Sequence, residues 1–286
     1  MGRRHVIRLI RTRVHVMSEY AATILGFRCA AETGRLGLKE AVDMIGSRRA
    51  AAVLLDVVPP DRLDDWWSDP AFPEPVPHRN LPSAINTGIA IGPTQRATGP
   101  DLVAALIDYL SYGGKYNGRL SGTRFVRLLK NELDADAIRL GEWGELPLAS
   151  KREFAPKDGT YSIPPHCDAI QFARDRSLWP LAGYEADRDQ VSVFLNAGDS
   201  PEGTELVLWD DRPADIAALD DMIREFNATG TVARLDGVPS VVVNGRPGQL
   251  YVLNTRVVHA VRQCTARRKT LGAFLVHRDG RWHMFQ

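Results

Sequence analysis

The chain has 286 residues, 44% hydrophobic and 25% charged, the proportions of an ordinary soluble globular protein able to bury a large core. A formal net charge of +1 gives no electrostatic case for nucleic acid or an anionic membrane surface as partner. Cys29, Cys167 and Cys264 form an odd set without metal-type pair spacing, which argues against a disulfide framework and fits a reducing cytoplasm. No apolar run approaches the ~18 residues of a spanning helix.

Met1 to Ser18 carries Arg3, Arg4, Arg8, Arg11 and Arg13 and no acid, so it reads as a basic tail. A transit peptide, or upstream sequence before a start at Met17, are the other readings of its composition. Residues 19–50 read mostly helical, with Leu38, Val42 and Ile45 on one apolar face. Ala51 to Val58 is an apolar run that stops at Pro59-Pro60, as a buried strand would. Asp61 to Trp67 suits a short helix, and the proline-rich stretch 68–100 suits loop with one brief strand.

Asp101 to Leu110 predicts a helix whose apolar stripe is either Leu102, Leu106 and Leu110 or Val103 and Ile107, ended by Gly113-Gly114. A second helix is expected over Phe125 to Leu133, and strand-rich sequence begins at Ala137 to Trp143. Gln190–Leu195 and Thr204–Trp209 read as strands joined hairpin-fashion by a turn-rich loop. Asp215 to Asn227 is amphipathic, with Ile216, Leu219, Ile223 and Phe226 on one side. Strands at Ser240–Val243, Gln249–Leu253, Val257–Val261 and Thr270–Val276 complete the pattern, and there is no internal repeat.

The chemistry concentrates in the second half. In a strand, His166 and Asp168 project to the same side, because side chains alternate with period two. His259, 93 residues after His166, adds a second imidazole. Two imidazoles and one carboxylate on one face of a metal make the triad of non-heme Fe(II) oxygenases, which leaves positions open for a co-substrate and dioxygen. Nine residues further on, Arg268-Lys269-Thr270 sets a guanidinium and a hydroxyl on one strand face, a pairing suited to gripping a carboxylate. A register shift of one would present Arg267 or Lys269 instead.

The ordered set His166-x-Asp168, distant His259, then Arg268-x-Thr270 resembles the 2-oxoglutarate/Fe(II)-dependent dioxygenases. The stretch from Gln190 to Leu206 is similar to prolyl-hydroxylase-like members. The tail from Pro247 through His259 to Leu275 resembles the welwitindolinone/hapalindole-type carbon halogenases. The likeness runs from about Ala137 to the end of the chain. Those halogenases carry glycine where Asp168 stands, and chloride binds iron in the vacancy. A carboxylate there implies hydroxylation or a related oxidation.

The resemblance implies an α+β, mainly β fold, with a double-stranded β-helix (jelly roll) core and N-terminal and flanking helices. It implies one domain over 1–286, with 19–135 mainly helical and 136–286 the catalytic core. His166, Asp168 and His259 would hold Fe(II), with O2 as oxidant. Arg268, Thr270 and Arg139 would hold 2-oxoglutarate, although Arg139 suits a structural salt bridge equally well. The substrate would be a small molecule oxidised at an unactivated carbon, in specialised metabolism.

Other residues have plainer uses. Cys167 should face the core, and His277 and His283 should pack at the surface or near the C-terminus. Asn196 and Asn254 either orient ligands or cap strand ends. Arg174, Asp175, Arg176, Trp179 and Tyr184 lie where similar enzymes border the substrate. Two other functions compete: a protein side-chain hydroxylase and an iron-free jelly-roll binding module. A cupin-type isomerase is disfavoured, because no His-x-His with a following Glu is present. Oligomeric state stays open.

Overall fold

The computed structural model describes residues 37–77, 84–89, 94, 96–156, 159–168, 187–198, 205–263 and 265–286. The expectations for Met1–Ser18 and for Arg174, Asp175, Arg176, Trp179 and Tyr184 lie outside them. Helix α1 (Leu38–Gly46) precedes strand β1 (Ala52–Asp56), then come a 3-10 turn at Pro60–Arg62 and helix α2 (Leu63–Trp67). Strands β2 (Val76–Pro77) and β3 (Ala84–Thr87) lead to helices α3 (Gly99–Leu120) and α4 (Arg124–Leu133). After β4 (Asp136–Ala137) the chain forms β5 (Ser150–Phe154), β6 (Tyr161–His166), β7 (Val191–Asn196) and β8 (Leu206–Trp209). Helix α5 (Ile216–Thr229) is followed by β9 (Ser240–Val243), β10 (Gln249–Asn254), β11 (His259–Arg262), β12 (Arg268–Arg278) and β13 (Arg281–Phe285).

The result is a mixture of helices and antiparallel sheet. The larger sheet has the order β1-β10-β7-β12-β5-β3-β2, with β13 also on β12 and β4 parallel to β13. The smaller has the order β6-β11-β8-β9. From β5 to β12 the chain alternates between the sheets, staying in the smaller one only for the β8–β9 pair. The expected hairpin of Gln190–Leu195 with Thr204–Trp209 is therefore not formed. β7 pairs with β10 and β12, while β8 pairs with β11 and β9. Each apolar strand finds its neighbours far away in sequence.

Alternation along the strands sorts side chains into layers. Leu206, Leu208, Val241 and Val243 of the smaller sheet meet Leu54, Tyr251 and Leu253 of the larger one. The other face of the larger sheet, with Val193, Leu195, Leu250 and Val252, is covered by Val42 and Ile45 of α1 and Phe125 and Leu129 of α4. Leu219 and Met222 of α5 cover Val207, Trp209 and Ala260 on the outer face of the smaller sheet. Among the described residues no helix is long and apolar enough to cross a membrane.

Two expectations about local structure change. Helix α3 does not stop at Gly113-Gly114 but runs through to Leu120. Gly113 is there for close packing, since a Cβ on it would collide with Glu145 O. One turn on, Asn117 clamps the same segment, its Nδ2 donating to Leu146 O at 2.9 Å and its Oδ1 accepting from Leu148 N at 3.2 Å. Of the two candidate stripes, Leu102 is buried whereas Val103 and Ile107 are exposed. Strands β5 and β13 carry charged residues at their middle or ends and show no apolar alternation, so neither was expected. Ala137 to Trp143 contributes only the end of β4 and an isolated bridge from Arg139 to Glu145.

This packing separates the two glycines of α3. Gly113→Ala should lower the unfolding free energy by about 1–3 kcal/mol through overpacking. Gly114→Ala, with nothing within 4 Å of its Cβ, should leave stability unchanged or raise it by roughly 0.5–1 kcal/mol. Urea denaturation of the two variants measures both.

Candidate metal centre

β6 and β11 run antiparallel with His166 directly opposite His259. Their ring centroids are 4.2 Å apart. Each imidazole is oriented the same way, by its own strand. His166 Nδ1 is 2.8 Å from Pro164 O, and His259 Nδ1 is 2.8 Å from Val257 O. A carbonyl can only accept, so both Nδ1 atoms carry the proton and both Nε2 atoms present lone pairs. β6 tolerates Pro164 and Pro165 because it is the edge strand of its sheet.

Asp168 reaches the same point from beyond the strand, which ends at His166, so the period-two argument does not apply to it. Its backbone is held instead by hydrogen bonds. Its N–H donates to Thr255 O at 3.1 Å, and its carbonyl accepts from Gln190 Nε2 at 2.9 Å. Thr255 Oγ1 in turn donates to Gln190 O at 3.0 Å. Asp168 Oδ2 lies 3.4 Å from His166 Nε2 and 3.6 Å from His259 Nε2, and the three potential ligand atoms are within 4.8 Å of one another. Three acceptors converging on one point repel each other unless a cation sits between them, and a borderline divalent metal matches two imidazoles and a carboxylate. The donor set fits the expected ion.

The carboxylate needs positive charge at the same point. Burial alone would raise the Asp168 carboxyl, but the two imidazoles outweigh it and hold the group well below the usual carboxylate range. Burial also pushes both histidines down. For His166 the Asp168 carboxylate reverses the direction, while His259 stays lowered, with the charge of His166 adding to burial.

The triad opens into a cavity of about 70 Å³ between the sheets. Arg268 and Thr270 line it from β12. Arg268 is 4% exposed, with its guanidinium carbon 5.7 Å from the Phe154 ring and 5.5 Å from the Phe194 ring. Its neighbours point elsewhere. Arg267 pairs with Glu153 at 2.6 Å on the surface, and Lys269 stands 5.6 Å over the Trp67 ring. Phe194, Leu253, Val261 and Phe274 give the cavity apolar walls.

Arg139 is not part of it. That residue is exposed and lines a separate surface groove with Lys130, Asp136 and Arg281, because β4 and the following bridge lie on the far side of β13. A different arginine, Arg152 of β5, lines the cavity. Burial pushes its guanidinium down, and the nearby Asp168 carboxylate opposes that. Its Nε is buried without a hydrogen-bond partner, which suits an anionic ligand in the cavity. In sequence, Lys151-Arg152-Glu153 looks like a solvated charge run. The available signal was the alternation Ser150, Arg152, Phe154, whose members all face the cavity.

The remaining candidates are structural. Cys167 is buried beside Val207 and Trp209, and burial pushes its thiol well up. His277 packs edge-on against Trp282, and His283 is buried beside the outer groove. Asn196 Oδ1 accepts from Gly198 N at 3.2 Å, so it caps β7. Asn254 Nδ2 donates to Asp189 Oδ2 at 2.9 Å. Asp189, its side chain fully buried, also meets Arg48 at 3.2 Å, Arg212 at 3.2 Å and Arg256 at 3.4 Å. Burial, then the charge of Arg256, pushes Arg212 down to about 10. This hub joins the end of α1, the start of β7 and the turn before β11, next to the residues that hold Asp168.

No protein-family model matches the chain, and no curated protein does. Among solved structures it is similar to an N-substituted L-amino acid dioxygenase from Burkholderia ambifaria AMMD, with 31% identity over 87% of this chain and 91% of that one and a TM-score of 0.73. The same enzyme in complex with alpha-KG gives 31% identity, the same coverage and a TM-score of 0.70. HygX from Streptomyces hygroscopicus, with nickel and 2-oxoglutarate bound, is more distant at 15% identity, 84% and 87% coverage and a TM-score of 0.43.

Removing the buried hub carboxylate leaves Arg212 and the more exposed Arg48 and Arg256 facing one another without a counter-charge. Asp189→Ala should therefore lower the unfolding free energy by about 3–5 kcal/mol. Asp65→Ala, which breaks the surface pair with Arg62, should change it by less than about 1 kcal/mol. Chemical denaturation compares the two.

Proposed function

The chain belongs to the 2-oxoglutarate- and Fe(II)-dependent dioxygenases, and from that premise we propose that it oxidises an unactivated carbon of a small carboxylate-bearing molecule of the N-substituted L-amino acid class. The observation that carries this reading is the convergence of His166, Asp168 and His259 on the cavity that also receives Arg152 and Arg268. The substrate class rests on the 31% identity to the Burkholderia enzyme.

His166 Nε2, Asp168 Oδ2 and His259 Nε2 would hold Fe(II). With 2-oxoglutarate and O2, the metal supplies an oxidation in which 2-oxoglutarate becomes succinate and carbon dioxide and one oxygen atom goes to the substrate. The chain's own groups bind and orient. Arg268 would pair with one carboxylate of 2-oxoglutarate, assisted by the Thr270 hydroxyl, and Arg152 would meet the other end. Asp168 stays ionised and occupies the place that glycine leaves open to halide in the halogenases. Phe194, Leu253, Val261 and Phe274 keep water from the reacting carbon. The alternation of β5 to β12 between two sheets supports reading the fold as a double-stranded β-helix, with 136–286 as the catalytic core of a single domain.

His259→Ala should abolish Mn(II) binding, measured by titration, while circular dichroism stays native. Arg268→Ala should weaken 2-oxoglutarate by the equivalent of roughly 2–5 kcal/mol, whereas Arg267→Ala should not. Retained metal binding in the first, or the reverse order in the second pair, would overturn the assignments. N-substituted L-amino acids should stimulate succinate release and gain one oxygen atom, with no chlorine isotope pattern in chloride buffer. Equal turnover of the matching carboxamides would sink the proposed substrate class.

A further inference from the structure

Gln286 follows β13 and is 3% exposed, yet its side chain leaves the hydrophobic layer around Phe285 and enters the cavity beside the metal centre. With the amide turned to suit its neighbours, Nε2 donates to Gly272 O at 2.8 Å and Ser150 Oγ at 3.3 Å. Oε1 then accepts from Arg152 Nη2 at 2.9 Å and from Ser150 Oγ at 3.0 Å. The room for this comes from β12. Its alternate residues Arg268, Thr270, Gly272 and Phe274 line the cavity, and Gly272 leaves a gap between two side chains. A Cβ at Gly272 would lie 3.6 Å from Phe194 Cβ and 3.9 Å from the Gln286 amide.

Gln286 Oε1 is the acceptor that the described residues offer to the Arg152 guanidinium, whose Nε has none. An amide in this place has a consequence a carboxylate would not. It fixes one Nη by hydrogen bonding without cancelling the positive charge, so the remaining donors keep their full attraction for an anion. A glutamate of the same shape would form a buried ion pair with Arg152 and compete with that anion.

We propose that Gln286 is a positioning residue for the co-substrate: it holds Arg152 charged and aimed, and so sets the affinity for 2-oxoglutarate. This rests on the reading of the cavity given above. Gln286 is not itself placed in contact with the iron ligands or the substrate.

The test is direct binding of 2-oxoglutarate to Mn(II)-loaded protein without oxygen, by titration calorimetry, with Mn(II) affinity and thermal midpoint measured alongside. Gln286→Glu should weaken 2-oxoglutarate by at least about tenfold, with Mn(II) affinity unchanged and the thermal midpoint equal or higher. Gln286→Asn, whose shorter side chain withdraws from Arg152, should weaken it by about threefold, a fraction of a hydrogen bond. A purely structural role predicts the opposite pattern, with Glu tolerated as an isostere. Wild-type affinity in Gln286→Glu, or in Gln286→Asn should the first variant not fold, would overturn the proposal. Arg152→Gln separates the two levels of inference. If it leaves 2-oxoglutarate binding intact, the reading of the cavity is wrong. If it weakens binding while the Gln286 variants do not, only the role of Gln286 is wrong.

Discussion

The site depends on a single cross-strand pair, His166 opposite His259 on β6 and β11. Antiparallel register brings the two rings to one place, and the carbonyls of Pro164 and Val257 turn both Nε2 atoms toward the interior. A slip of one residue would send an imidazole into the layer covered by α5, because successive side chains face opposite sides of the sheet. The pairing is irregular immediately after His259, between it and Val261, so the register is kept at the histidines and adjusted beyond them. Position on an edge strand is what lets β6 carry two prolines up to the first ligand. Asp168 then needs a separate support, which Gln190 and Thr255 provide through its backbone.

The protein holds guanidiniums in two different ways, and the contrast separates scaffold from site. Around Asp189, three arginines share a carboxylate within 3.4 Å, so the cost of burial is offset locally and the cluster ties together α1, β7 and the turn before β11. In the cavity, Arg152 has a neutral amide as its acceptor and an unmatched Nε. A guanidinium whose acceptor is neutral is unfavourable in a cavity unless an anion occupies the space in front of it. The first arrangement carries its own carboxylate; the second faces the cavity and is suited to a bound anion.

Local sequence was enough wherever a pattern belongs to one element. The candidate residues His166, Asp168 and His259 stood out by type, and the Arg268-x-Thr270 pair and the amphipathic repeat of α5 by period two or 3.6, which says which residues share a face. Alternation along β12 left Arg267, Arg268 and Lys269 as alternatives, and the register of the sheet turns Arg268 to the cavity. Asp168 reaches the two histidines for a reason other than alternation: its strand ends before it, and contacts from Gln190, just before β7, and Thr255, just after β10, bring it in.

The tertiary structure alone decided which polar residues face inward. Arg139 and Arg152 are both arginines in unremarkable surroundings, and only strand order separates them. β5 lies beside β12 across from the triad, whereas β4 lies outside β13. For the same reason the two apolar strands at Val191 and Leu206 do not form the expected hairpin, since their partners are up to 84 residues away. Gly113-Gly114 looked like a helix end because the backbone of Glu145, which requires the first glycine, is 32 residues distant. Composition and periodicity determine what each element offers. Which face meets water, metal or another strand is set by long-range packing that no local window contains.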